Sequence, residues 1–114
     1  MIIKKKNAGN PISYKQDGNI LTFRDGELVL DLERLQDEYL VHIDICEDPN
    51  GKLVVGSSRK YVAEIDLPPR EYRMIKLGFK CDANLEQLRR DVVPFDIDKV
   101  VLTLWSVGDS DGAI

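Results

Sequence analysis

Apolar and polar residues alternate along most of this chain. In EYLVHIDIC, Tyr39, Val41, Ile43 and Ile45 fall on one side while Leu40, His42, Asp44 and Cys46 fall on the other. Successive side chains of an extended strand point to opposite faces, so a period of two predicts a strand with one face on a core. KYVAEIDL repeats the scheme, with Tyr61, Ala63, Ile65 and Leu67 inward and Val62, Glu64 and Asp66 outward. KVVLTLWSV, residues 99–107, is apolar on both faces, as a central strand requires.

Turn chemistry divides the first half into hairpins. Asp17-Gly18, Asp25-Gly26 and Asn50-Gly51 each lie between apolar runs, and such pairs supply the positive φ angles of tight turns. Pro68-Pro69 ends a strand, because proline offers no N–H to a ladder, and REYRMIKLGFK, residues 70–80, follows as a long strand. In DANLEQLRRDV, Leu85, Leu88 and Val92 stand at helical spacing with Asp82 or Asn84 available as an N-cap. That spacing predicts one short helix over residues 84–91. The expected fold is all-β and mainly antiparallel, a β-sandwich of eight or nine strands with that helix; the alternative is an OB-like or other small barrel. Residues 1–107 read as one domain and 108–114, rich in Gly, Asp and Ser, as a flexible tail.

A chain of 114 residues, 43% hydrophobic and 32% charged, is long and apolar enough to bury a core. Its net charge of -4 argues against a nucleic-acid binder. The charge is unevenly spread: residues 1–24 carry +4 (five basic, one acidic) and residues 25–48 carry -8 (nine acidic, one basic). MIIKKKNAGNP lacks the apolar stretch of a signal peptide and no apolar run is long enough to span a bilayer, so a cytoplasmic protein without a membrane partner is expected. Cys46 and Cys81 show no C-x-x-C spacing and read as reduced, buried thiols.

Candidate chemistry is sparse. GDSDG, residues 108–112, satisfies G-x-S-x-G, but a nucleophile elbow needs a helix and a histidine after the serine. Only Ala113 and Ile114 follow, and the single histidine, His42, lies upstream, so Ser110 is not read as a nucleophile. His42, Asp44 and Cys46 are admissible metal ligands that project from one strand face about 6–7 Å apart, and they can converge on an ion if a neighbouring strand helps. Water or a cross-strand partner is the plainer environment for them. CEDPNG, residues 46–51, resembles part of a calcium loop but has Cys46 and Ser57 where the end ligands belong, and reads as a β-turn.

The acidic residues Asp25, Glu27, Asp31, Glu33, Asp37, Glu38, Asp44, Glu47 and Asp48 read as a solvated face that steers a basic partner, since sequence places no two of them across a cleft. Lys4, Lys5 and Lys6, with Tyr14 and Lys15, suit edge strands guarded against aggregation better than a single-stranded nucleic-acid groove. Trp105 is a possible floor for a ligand surface. Phosphate loops are missing from the sequence. With no catalytic or cofactor-binding residue to name, the expectation is a non-enzymatic interaction or assembly module, pairing with a protein or with itself through edge strands and opposed charge. The alternative is a β domain that binds a small ligand, a carbohydrate or a metal ion.

Overall fold

The computed structural model describes residues 1–80 and 86–106, without the side chains of 76–80 and 86–88. The alternation seen in the sequence becomes ten strands among these residues. β1 (Ile2–Lys5), β10 (Val101–Leu104), β7 (Lys60–Leu67), β5 (Val41–Glu47) and β6 (Leu53–Val55) lie in that order in one sheet, antiparallel throughout except for β1 beside β10. β2 (Tyr14–Asp17), β3 (Ile20–Phe23) and β4 (Leu28–Asp31) form a second antiparallel sheet. β8 (Tyr72–Lys80) and β9 (Glu86–Val92) pair only with each other, as a ribbon.

The two larger sheets share one buried cluster, which makes the fold a sandwich. Leu21 and Phe23 of β3 meet Ile43 and Ile45 of β5, Ala63, Ile65 and Leu67 of β7, and Leu102 and Leu104 of β10. These are the inward positions of each alternation, so the pleat itself sorts them toward the core. The sheets are also tied at one end. Arg24 reaches from the β3–β4 turn to Glu47 Oε2 (2.6 Å) and to the carbonyl of Gly51 (2.9 Å), and Glu27 accepts the Leu53 N–H (2.9 Å). Arg24 and Asp25 adopt φ of 49° and 56°, a region costly for residues with side chains. The Arg24 contacts hold that turn in place.

The hairpins fall at the three predicted sites. At the first, Asp17 pairs with Ile20, so the central residues are Gly18 and Asn19, and Gly18 has the positive φ (60°) that the first central position of a II′ turn requires.

Four expectations are corrected. Residues 86–91, predicted to end a helix, belong to strand β9, while 84 and 85 lie outside the described residues. Leu88 and Val92 are four apart, an even number that suits one strand face as well as one helix face, and pairing with β8 decides between them. The short helix is instead α1 (Leu32–Leu35), where the Asp31 side chain caps the Arg34 N–H (3.3 Å) and Leu32 is buried. Tyr39 precedes β5 and is exposed. Finally, the β5–β7 register shifts between Ile45 and Cys46, so Cys46 faces Tyr61 rather than Val62 and both Cys46 and Val62 are fully buried. A bulge of this kind breaks the strict alternation of side chains beyond it. The two packed sheets hold eight strands, within the eight or nine expected of the sandwich, and the ribbon adds two.

Among the described residues no helix is long and apolar enough to cross a membrane. Cys81, Ser110 and the tail from 108 to 114 lie outside them.

Candidate functional site

On the outer face of the large sheet, β5 and β7 bring four polar side chains together. His42 stands opposite Asp66 and Asp44 opposite Glu64 in the antiparallel register. The His42 ring lies between carboxylates: Nδ1 is 2.6 Å from Asp66 Oδ1, and Nε2 is 2.8 Å from Asp44 Oδ1 and 3.5 Å from Glu64 Oε1. The Asp66 hydrogen bond raises the imidazole above its ordinary pKa; partial burial opposes this and Asp44 adds to it. Trp105 donates its indole N–H to the other oxygen of Glu64 (2.6 Å). Glu64 is thereby fixed between the ring of His42 and the last strand.

The structure keeps two of the three residues proposed as metal ligands and replaces the third. His42 and Asp44 lie side by side, but Cys46, turned inward by the bulge, is a free thiol in the core and cannot join them. Glu64 takes its place, with one potential ligand atom each on His42, Asp44 and Glu64 all within 4.8 Å of one another. Glu64 and Asp66 were legible as outward positions of β7. What the sequence did not carry was the register that sets them opposite Asp44 and His42.

Trp105 is not an open platform. Its ring lies 5.7 Å from that of Tyr61, tilted, and the Lys6 ammonium sits 5.5 Å above it. The acidic residues are mostly occupied in holding the fold: Asp31 caps α1, Glu47 binds Arg24, and Asp48 accepts the N–H groups of Asn50 (2.8 Å) and Lys52 (2.9 Å) in the CEDPNG turn. The lysines of β1 lie on an edge strand whose four residues are all exposed, while Tyr14 and Lys15 belong to an edge of the other sheet.

The second candidate is the ribbon. A nine-residue strand spans about 30 Å, and the molecule measures 73 × 23 × 21 Å with a radius of gyration of 19.6 Å. A compact chain of this length has a radius of about 13 Å. At the described end of the ribbon Met74 is 58% and Val92 56% exposed. Tyr72 is covered by the Arg90 guanidinium, 3.9 Å from its ring centre. The strands of the ribbon carry Arg73, Lys76, Lys80, Arg89 and Arg90 against Glu86 and Asp91, a net +3 (five basic, two acidic).

The base of the ribbon is latched to the body. Arg70 and Tyr72 both donate to Glu38 Oε2, Arg70 also donates to the Gln36 carbonyl (3.0 Å), and Lys99 binds Glu71 Oε2 at 2.8 Å. The Tyr72 hydrogen bond, then that of Arg70, lowers the Glu38 pKa. A carboxyl that is more acidic when folded contributes stability above its unfolded pKa and loses it as pH falls through the folded one. The latch is therefore expected to hold at neutral pH and release in acid. In a carboxyl-carbon NMR titration Glu38 should titrate below the ordinary glutamate value of 4.5 and move back toward it in Arg70→Ala. A midpoint at the ordinary value in the native chain contradicts the latch.

No protein-family model, no curated protein and no solved structure matches this chain.

Proposed function

We propose that this chain is a non-enzymatic assembly module that engages a protein partner through the β8–β9 ribbon, with a second copy of itself as the first partner to test. One observation carries the reading: the ribbon pairs with neither sheet and leaves Met74 and Val92 open to solvent. An isolated two-stranded hairpin is marginal in water and gains stability when a face is covered. Its sequence points the same way, since Tyr72, Met74, Ile75, Leu77 and Phe79 make five of the nine positions of β8 apolar or aromatic.

Charge supports self-association. The ribbon strands carry net +3, and residues 25–48 carry -8, so the ribbon of one copy meets attraction at the body of another. The exposed apolar side chains fit a protein surface better than a phosphate backbone, which favours a protein over a nucleic acid as partner. A reducing compartment such as the cytoplasm suits the buried free thiol of Cys46.

Sedimentation velocity at low and high salt tests the reading. Association that weakens as salt screens the opposed charges supports it. A monomer at every concentration and salt level counts against self-association.

A further inference from the structure

We propose that His42, Asp44 and Glu64 bind a divalent first-row transition ion of the zinc class, with Asp66 orienting the imidazole. The inference stands apart from the ribbon and holds or fails without it.

Geometry comes first. A zinc ion lies about 2.0–2.2 Å from imidazole nitrogen and carboxylate oxygen, which sets tetrahedral ligands about 3.3 Å apart. His42 Nε2 is 2.8 Å from Asp44 Oδ1 and 3.5 Å from Glu64 Oε1, on either side of that spacing. All three ligand atoms lie within 4.8 Å of one another, so the side chains have only to adjust toward that spacing as the ion enters. The other ring nitrogen already faces Asp66 at 2.6 Å, and a histidine that binds metal characteristically gives its second N–H to a carboxylate, which fixes the tautomer and strengthens the donor. Glu64 is held by Trp105 through the oxygen that does not face His42.

Electrostatics gives a second reason. Asp44 and Glu64 stand directly opposite each other on neighbouring strands, an arrangement of like charges that costs stability in a sheet. With the imidazole neutral, as a ligand must be, the three carboxylates around it sum to -3, and a divalent ion reduces this to -1. One nitrogen among the ligands favours zinc, cobalt or nickel over magnesium or calcium, which prefer all-oxygen sites. The set is partly exposed, His42 at 43%, Asp44 at 23% and Glu64 at 20% of the side chain, so water can complete the coordination.

Calorimetric titration of the full chain with Zn²⁺ at pH 8 should show one ion per chain. His42→Gln and Glu64→Gln should each abolish it, and Asp66→Asn should weaken it by about 10–100-fold and alter the visible spectrum of bound Co²⁺. Cys46→Ala should leave the affinity unchanged, because that thiol lies in the core. Circular dichroism of each variant separates lost binding from lost folding. No binding by the native chain at 0.1 mM metal (roughly the weak limit worth a site, about -5.5 kcal/mol) overturns the proposal. So does binding that survives in both His42→Gln and Glu64→Gln, or Mg²⁺ bound as tightly as Zn²⁺.

Discussion

Phe23→Ala is expected to lower folding stability by about 3–5 kcal/mol, while Met74→Ala changes it by less than about 0.5 kcal/mol. Among the described residues Phe23 is the largest fully buried side chain, and it sits in the cluster shared by the two sheets. Its removal costs the transfer of an aromatic ring from water and leaves a cavity between sheets that backbone pairing on both sides keeps from collapsing. At about 4–8 °C per kcal/mol for a domain near this size, the melting temperature should fall by more than 10 °C. Met74 has comparable bulk but lies on the ribbon, largely in water. Chemical denaturation of both variants makes the comparison. Equal losses would place the ribbon inside the core and remove the reason to seek a partner for it.

The second large effect concerns association. Met74→Glu with Val92→Glu is expected to weaken self-association at least tenfold while leaving the monomer folded. Both side chains are more than half exposed, and covering them on a partner is worth about 1 kcal/mol each from apolar burial alone. The new carboxylates cut the positive charge of the ribbon and meet the acidic 25–48 segment as like charge. Together these exceed the 1.4 kcal/mol of a tenfold change. Sedimentation equilibrium of the native and double-variant chains gives the ratio; identical dissociation constants would exclude this part of the ribbon from the interface.

How much of this was written in the sequence depends on what each feature rests on. Inward positions such as Ile43, Ile65 and Leu67 were legible because alternation fixes a strand's faces without reference to any other strand. The three hairpins were legible for the same reason, since Gly18, Gly26 and Gly51 all take positive φ. Cys46 was misplaced because a bulge belongs to a pair of strands, and neither strand alone announces it. The ribbon was half legible. Its first strand was found, while Leu88 and Val92 satisfied two periods at once and drew a helix over the second. The site suffered most, because Glu64 and Asp66 reach His42 only through the pairing of β5 with β7, a choice of neighbour made by the whole fold.

Native-state hydrogen exchange at low concentration measures most directly whether the ribbon stands apart from the sandwich. Amides of β5, β7 and β10 should exchange near the rate set by global unfolding, and those of residues 72–76 and 89–92 orders of magnitude faster. Slowing of the ribbon amides as concentration rises into the associating range is the predicted companion result. A ribbon as protected as β7 in the dilute chain would mean that its own body already stabilises it, and the account of an arm awaiting a partner would be wrong.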